Sequence, residues 1–129
     1  MNRVSVFMSS YNYGRYLQAS IDSVLQQTFP DFELLILDDA SNDNSWEIIQ
    51  AQTDPRIRAE RNPENCNDKL GMNRIIRDQA AGEYIAVHHS DNLWEPDKLQ
   101  KQVDFLDTHR EVGAVFSNAR VITENGEPL

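Results

Sequence analysis

Cysteine is almost absent from this 129-residue chain, since Cys66 is the only one. A single cysteine excludes an intramolecular disulfide and a zinc site built from several cysteines. This composition favours a reducing compartment, and the cytoplasm is the expected location. A chain of this length buries roughly two thirds of its unfolded surface, so one domain over residues 1–129 is expected to fold without covalent cross-links.

Positive charge and long hydrophobic runs are also scarce. The chain has 12 Lys and Arg residues against 21 Asp and Glu residues, which gives a formal net charge of −9. Nucleic-acid binding needs a basic surface, so no nucleic acid is expected as a partner. No segment approaches the ~18–20 apolar residues of a membrane span, and Val4–Met8 is too short for a signal peptide. Any association with the inner face of a membrane would therefore be peripheral, through parts outside this sequence.

Glycine is too sparse to form a phosphate-binding loop, with five residues in the whole chain. The sequence Ser9–Gly14 matches neither the dinucleotide-binding fingerprint nor the Walker A motif. A diphosphate bound to this chain would therefore be neutralised by a metal ion and by basic side chains. Lys69, Arg74 and Arg77 are the candidates for the basic groups, and the alternative is that they are ordinary exposed charges on a helix.

Apolar periodicity predicts strands that alternate with helices. Phe32–Leu37 is a nearly continuous apolar run, typical of a central parallel strand covered on both faces. This alternation predicts an α/β fold with a doubly wound, mostly parallel sheet and helices on both faces. The predicted strands cover residues 4–8, 32–37, 57–59, 84–87, 112–116 and 119–123. The predicted helices cover residues 14–27, 42–53, 70–81 and 96–106.

Several residues carry the chemistry of helix ends and turns. Ser41 is a predicted N-cap, Gly82 a predicted C-terminal cap, and Pro96 a predicted first helical residue. Asn125–Gly126 is a hairpin turn signal, but the following Glu127–Leu129 is too short for a full return strand. We therefore expect residues 1–129 as a whole to be a fragment, or the N-terminal part of a longer catalytic domain.

Three polar clusters follow the first, second and fourth predicted strands. They are residues 9–12, the pair Asp38–Asp39, and residues 88–92. Each cluster alone could be a solvated turn. Because ligands of open parallel sheets bind beyond the carboxyl ends of the strands, the three together predict a binding site at that edge.

The acidic residues of these clusters suggest two kinds of chemistry. Asp38 and Asp39 point in opposite directions if strand geometry persists, so one can bind a base or ribose while the other orients the loop. The alternative for Asp38 is that it stabilises the turn at Ser41. Asp91, aided by His89, could hold Mn²⁺ or Mg²⁺ against a diphosphate, because hard cations take oxygen ligands and imidazole suits Mn²⁺ better than Mg²⁺.

Ten short motifs follow one another along the chain, at residues 4–6, 10–12, 16–17, 23–25, 27–29, 31–34, 38–43, 81–85, 90–94 and 96–99. In their order and spacing they resemble family 2 glycosyltransferases with the GT-A fold, a Rossmann-like nucleotide-binding architecture. The similarity runs from about residue 3 to residue 118 and is greatest to the spore-coat polysaccharide glycosyltransferase type. The resemblance implies a role in cell-surface polysaccharide biosynthesis.

The resemblance implies roles for the residues that bind a nucleotide sugar. Ser9 and Tyr11 would line the nucleotide pocket, with Tyr11 stacked on the base. Asp39 would accept a hydrogen bond from the base, which is expected to be uracil. Lys69 and Arg74 would supply positive charge near the diphosphate.

The resemblance also places the family's DxD metal motif after the fourth strand. The common pattern Asp-Ser-Asp-Asp reads His-Ser-Asp-Asn at residues 89–92. Asp91 would be the direct ligand of Mn²⁺ or Mg²⁺, and His89 replaces the first acidic residue. Ser90 stands where the spore-coat type has an acid that contacts the ribose.

The implied activity is transfer of a sugar from a UDP-linked donor to an acceptor hydroxyl, with inversion and with help from a metal ion. The acceptor would be a glycan, a lipid-linked molecule or another hydroxyl compound. The catalytic base is expected outside this chain. One alternative is a catalytically incomplete module that only binds nucleotide sugars, and a more remote one is a receiver-type signalling domain, suggested by the acidic pair after an apolar strand.

Overall fold

The computed structural model of the chain describes residues 2–67 and 69–129, without the side chains of residues 69 and 70. Within these ranges strands and helices alternate, as the apolar periodicity predicts. The elements are β1 (Val4–Ser10), α1 (Gly14–Leu25), β2 (Phe32–Asp38), α2 (Ser45–Gln50), β3 (Ile57–Arg61), α3 (Lys69–Gln79), β4 (Tyr84–His89) and α4 (Lys98–Thr108).

The four strands form one sheet in the order β3-β2-β1-β4, and every neighbouring pair is parallel. The register pairs Ser10 with Asp38 and Ser9 with His89. The carboxyl ends of β1, β2 and β4 therefore meet at one edge of the sheet. This arrangement confirms the predicted α/β fold with a parallel sheet.

Apolar side chains cover both faces of the sheet, because successive residues of a strand point to opposite sides. On one face α1, α2 and α4 pack against β1 and β2, and on the other face α3 packs against the same two strands. All seven residues of β2 are buried, as the continuous apolar run predicts. The larger core contains Val4, Val6, Met8, Leu17, Ile21, Val24, Phe29, Phe32, Leu34, Ile36, Ile49, Leu99 and Val103, and the smaller contains Phe7, Leu35, Leu37 and Ile75.

One residue of the buried strand β2 is charged. The Glu33 carboxylate accepts hydrogen bonds from Ser5 Oγ at 2.6 Å and from the Ala81 backbone N–H at 2.8 Å, and it pairs with Arg58. Burial opposes ionisation of Glu33, but these three partners together hold its pKa below the ordinary value of 4.5. The carboxylate thereby ties β1, β3 and the segment before β4 to the centre of the sheet.

A group whose pKa is lower in the folded state stabilises the fold above its unfolded pKa and loses that contribution on acidification. We therefore expect Glu33→Gln to lower the free energy of unfolding by about 2 kcal/mol at pH 7, as for the loss of charged hydrogen bonds. The difference from the unchanged protein should shrink as the pH falls below about 4.5. Urea unfolding at pH 7, 5 and 3.5 measures it, and a difference independent of pH would contradict this account.

Two predicted helix starts are wrong. Helix α2 begins at Ser45 with Asn44 as its N-cap, whereas Ser41 lies in the preceding loop and its hydroxyl donates to the Asp38 carboxylate. Helix α4 begins at Lys98, two residues after Pro96. The Pro96 carbonyl accepts a hydrogen bond of 2.8 Å from the Thr28 N–H, which keeps this residue in the loop that contacts the end of α1.

The predicted role of Gly82 as a helix cap is also wrong. Helix α3 ends at Gln79, three residues earlier. The Gly82 N–H donates to Ser5 Oγ at 2.9 Å, and a Cβ on Gly82 would lie 2.4 Å from the Ser5 backbone nitrogen. Close approach to β1, and not a left-handed cap, is what requires glycine at this position.

The segment after α4 differs from the prediction. Residues 112–116 form no strand in the described part of the chain, and the Phe116 side chain is 91% exposed. A Val-rich run becomes a strand only where a pleated neighbour packs against it, and this run has none in the sheet. The turn at Asn125–Gly126 is present, with Gly126 at φ +84° and an antiparallel bridge between Ile122 and Pro128. Among the described residues no helix has the length and apolar character to cross a bilayer.

Candidate functional site

A cleft of about 520 Å³ opens at the edge where β1, β2 and β4 end. Its walls come from the loops that follow these strands and from the loop between β3 and α3, the position at which open parallel sheets bind ligands. Tyr11, Asp39 and Asp91 lie far apart in sequence, and the fold brings them to this one cleft. The lining residues are Ser9, Ser10, Tyr11, Tyr13, Asp39, Asn65, Asn67, His89, Ser90, Asp91 and Asn92.

The loop after β1 presents Tyr11 with its side chain 41% exposed. The next residue, Asn12, has a φ of +56°, which its short polar side chain tolerates. The Asn12 N–H donates to Ser41 Oγ at 3.0 Å, and Asn12 Oδ1 accepts from the Asn42 N–H at 2.7 Å. These contacts fix the loop against its neighbour and leave the tyrosine ring free to stack on a planar ligand.

Asp39 is only 6% exposed, and its two carboxylate oxygens have different surroundings. Oδ1 accepts hydrogen bonds from Asn62 Nδ2 at 2.8 Å and from the Cys66 N–H at 3.0 Å. No described residue donates to Oδ2. The Asn65 side chain also reaches the Asp39 carbonyl, at 3.4 Å. The described part of the loop between β3 and α3 thus orients the carboxylate through Oδ1 and makes no hydrogen bond to Oδ2.

Asp38 does not line the cleft. Its side chain is fully buried, and it accepts hydrogen bonds from Ser41 Oγ at 2.5 Å and from the Ser41 N–H at 3.1 Å. Arg61 Nε lies 3.2 Å from the same carboxylate. This geometry corrects the assignment of Asp38 to nucleotide binding and favours the alternative, in which Asp38 stabilises the turn at Ser41.

The residues of the predicted metal motif form a tight turn after β4. The Asn92 N–H donates to the His89 carbonyl at 3.1 Å, so Ser90 and Asp91 occupy the two central positions. Ser90 is buried, whereas His89 and Asp91 are exposed. No hydrogen bond or ion pair from another described residue engages the Asp91 carboxylate.

These side chains fit a divalent cation that takes most of its ligands from a diphosphate. A carboxylate and an imidazole lie on the same turn, and hard cations bound to phosphates need few protein ligands. In the described chain no group of three or more His, Cys, Asp and Glu side chains is placed to hold a metal ion alone. The described residues that line the cleft include two carboxylates and no Lys or Arg, so a diphosphate beside them would need an added positive charge.

Arg74 is not among the described residues that line the cleft. Its Nη1 lies 2.8 Å from Glu60 Oε2 on β3, and Glu60 does not line the cleft either. Lys69 begins helix α3, and its side chain falls outside the described part. The assignment of both basic residues to the diphosphate stays a prediction.

His88 and His89 point in opposite directions, as neighbours in a strand do. His88 is 1% exposed, and its Nε2 lies 2.9 Å from the hydroxyl of Ser20 on α1. Burial lowers the pKa of His88 to about 4, against the opposing effect of this hydrogen bond. The imidazole is consequently neutral at neutral pH.

Sequence reasoning did not assign Asn65, Asn67 and Tyr13 to the site. Residues 62–68 are predicted as a polar loop, and the structure describes that loop except for residue 68. Asn67 has a φ of +48°, a conformation in which asparagine is enriched. The richness in asparagine is the one signal in the sequence that points to a shaped loop here.

The model of a family described as "Glycosyl transferase family 2" matches residues 5–128. The putative teichuronic acid biosynthesis glycosyltransferase TuaG of Bacillus subtilis is 34% identical over 128 residues, which cover 98% of this chain and 50% of that protein. The UDP-Glc:alpha-D-GlcNAc-diphosphoundecaprenol beta-1,3-glucosyltransferase WfaP of Escherichia coli is 34% identical over 110 residues, covering 85% of this chain and 43% of that protein. The chain therefore spans about half the length of the curated relatives that it matches.

Solved structures of similar fold include proteins with bound nucleotides. Residues 1–349 of TarS from S. aureus in complex with UDP superpose with a TM-score of 0.76 at 24% identity, over 84% of this chain and 33% of that one. The mannosyltransferase PcManGT of Pyrobaculum calidifontis, in complex with GDP-Man and Mn²⁺, gives a TM-score of 0.74 at 26% identity, over 81% and 32%. The TarS likeness shows the fold alone.

Proposed function

The chain belongs to glycosyl transferase family 2, and from this premise we propose that it forms the donor-binding part of an enzyme that transfers a sugar from UDP to an acceptor hydroxyl. The observation that carries the proposal is the placement of Tyr11, Asp39 and Asp91 along one cleft at the carboxyl edge of the sheet. Because residues 5–128 match the family 2 model, we do not propose that the chain is a receiver-type signalling domain.

The base is proposed to bind between Tyr11 and Asp39. The tyrosine ring supplies a stacking surface, and stacking contributes about 1–3 kcal/mol for each base in other nucleotide-binding proteins. Among the described residues none donates to Asp39 Oδ2, and one such oxygen suits a base that presents a single imide N–H, as uracil does at N3. Guanine presents two adjacent donors, and these would need both oxygens of the carboxylate.

The diphosphate is proposed to lie beside the turn at residues 89–92. The Asp91 carboxylate and the His89 imidazole would hold Mn²⁺ or Mg²⁺ there, as the Mn²⁺ bound to PcManGT supports. When bound, the cation stabilises the negative charge that develops on the leaving diphosphate. Ser9 and Ser90 line the same cleft and are proposed to contact the ribose.

In the proposed reaction an acceptor oxygen attacks the anomeric carbon as the bond from that carbon to the diphosphate oxygen breaks. One in-line displacement inverts the configuration, and a general base takes the proton of the acceptor hydroxyl. Both carboxylates that line the cleft are assigned to donor binding, so the base is proposed to lie outside these residues. The second candidate function is therefore a module that binds the nucleotide-sugar donor and does not transfer the sugar.

The acceptor is proposed to be a lipid-linked sugar or a growing surface polysaccharide. WfaP, by its name, acts on a sugar linked to diphosphoundecaprenol, and TuaG is named for teichuronic acid biosynthesis. We extend that acceptor class to the protein that contains this chain, with the reaction at the cytoplasmic side of the membrane.

A binding screen tests the proposal. UDP, CDP, GDP and ADP are each added with Mn²⁺ or with a chelator, and the melting temperature is followed. UDP with Mn²⁺ should give the largest increase, since a ligand at 100 times its Kd stabilises the native state by about 2.7 kcal/mol. No increase with any nucleotide would contradict the proposal, and binding of UDP-sugars without release of UDP would favour the module.

Asp39→Asn tests the proposed base contact. The donors Asn62 Nδ2 and Cys66 N–H require the amide oxygen at the Oδ1 position, so the new NH₂ group would face the ligand. It would oppose the N3–H of uracil but pair with the N3 acceptor of cytosine. We expect UDP affinity to fall by about 10–100-fold, the cost of an unsatisfied donor, while CDP affinity rises relative to it. Parallel titrations measure this ratio, and an unchanged ratio would contradict the contact.

A further inference from the structure

Helix α1 and the residues that follow it present polar side chains to the loop that carries Asp91. Ser20 and Ser23 are three residues apart and share one face of α1, and Gln27 lies two residues after the last residue of the helix. Ser23 Oγ accepts from the Trp94 N–H at 3.2 Å, and Gln27 Nε2 donates to the Glu95 carbonyl at 2.8 Å. These side chains therefore fix the backbone of this loop at successive points.

Ser20 makes the contacts that matter most for the metal motif. Its hydroxyl lies 3.1 Å from the His89 carbonyl and 2.9 Å from the Asn92 carbonyl. These carbonyls belong to the first and last residues of the turn in which Asp91 stands third. One buried hydroxyl thus contacts both ends of the turn without contacting the cleft.

The hydrogen-bond donors around the Ser20 hydroxyl decide which nitrogen of His88 carries the proton. A serine hydroxyl has a single hydrogen, and the two carbonyls can only accept it. His88 Nε2 lies 2.9 Å from the same oxygen, so the imidazole must carry its hydrogen on Nε2 and donate it to Ser20. His88 Nδ1 has no partner among the described residues, which suits an unprotonated nitrogen. The Trp94 ring packs edge-on against the imidazole, with 4.5 Å between centroids.

We propose that Ser20 and His88 are positioning residues that hold the Asp91 turn in the geometry needed by the cation and the diphosphate. The inference rests on the proposed function, because it assumes that Asp91 holds the cation. His88 donates to Ser20, and Ser20 is thereby left to donate to the carbonyls of the turn. Substitution of a residue that orients a metal ligand in this way typically lowers the affinity for the metal by 10–100-fold.

Electron paramagnetic resonance of Mn²⁺ in the presence of saturating UDP provides the test, since bound and free Mn²⁺ give different signals. Ser20→Ala is expected to weaken Mn²⁺ binding by at least about 10-fold. Ser5→Ala is the matched control, because Ser5 is also a buried serine with two hydrogen bonds, at the opposite end of the sheet. The control should lower stability and leave Mn²⁺ affinity unchanged.

A second pair of variants decides the question if Ser20→Ala does not fold. His88→Gln keeps a neutral N–H donor toward Ser20 and should retain Mn²⁺ affinity, whereas His88→Leu removes the donor and should lower it. Wild-type affinity in Ser20→Ala or His88→Leu, or an equal loss in Ser5→Ala, would overturn the inference alone. Absence of Mn²⁺-dependent UDP binding in the unchanged protein would overturn the proposed function, and the inference with it.

Discussion

The Asp91→Asn variant is expected to bind UDP with an affinity at least about 100-fold lower when Mn²⁺ is present. Loss of groups that merely orient a metal ligand costs 10–100-fold in metal affinity, and loss of the ligand itself should cost more. The amide has no negative charge, and no Lys or Arg is among the described residues that line the cleft and could bind the diphosphate instead. Calorimetric titration of UDP with Mn²⁺, and again with a chelator, measures the effect.

Stability should be unaffected by the same change, because Asp91 is exposed and contacts no hydrogen-bond donor in the described chain. Asp104→Asn is the matched control, since it removes the same charge from an exposed position on α4. The control should retain the affinity for UDP in both titrations. If Asp91→Asn bound UDP as tightly as the control with Mn²⁺ present, Asp91 would not hold the cation.

The fold and the edge of the sheet that holds the cleft could be predicted from local sequence patterns. Phe32–Leu37 reads as a buried strand because both its faces are apolar, and the polar residues that follow it fall at the strand end by the same pattern. The rule that ligands bind beyond the carboxyl ends of parallel strands then brings Tyr11, Asp39 and Asp91 to one edge. Each of these steps depends on residues that are neighbours in the sequence.

Features that depend on contacts between distant segments could not be predicted. Strand alternation predicts that Asp38 and Asp39 point in opposite directions, but it does not decide which of the two faces the cleft. The pairing of Ser20 with His88 joins residues 68 positions apart. The ion pair of Arg74 with Glu60 likewise joins residues on two different elements.

At position 82 the sequence pattern predicts one physical reason for a glycine, and the structure shows a different one. A glycine shortly after a helix is typical of a C-terminal cap, and that pattern predicts a left-handed conformation. The structure instead brings Gly82 against β1, where there is no space for a side chain. The two explanations predict different effects of substitution, because only the second depends on the backbone of a distant strand.

Gly82→Ala is accordingly expected to destabilise the protein by about 3 kcal/mol, at the upper end of the range for overpacking. The new Cβ would lie 2.4 Å from the Ser5 nitrogen and 2.7 Å from the Val4 carbonyl carbon, and these backbone atoms belong to the central strand. Relief of the clash would separate β1 from the segment before β4 and break the hydrogen bond of Gly82 to Ser5. Thermal unfolding should show a decrease of about 10 °C.

Gly113→Ala provides the comparison, since no atom lies within 4 Å of the position that its Cβ would occupy. This variant should change the free energy of unfolding by no more than about 0.5 kcal/mol, as surface substitutions usually do. Equal and small effects at both glycines would mean that the segment before β4 does not pack against β1. Gly82→Ala forces the segment before β4 away from the β1 backbone, whereas Ser5→Ala removes a hydrogen bond without a clash. Because β4 carries the turn that contains Asp91, only Gly82→Ala is expected to displace that turn and to weaken Mn²⁺-dependent UDP binding.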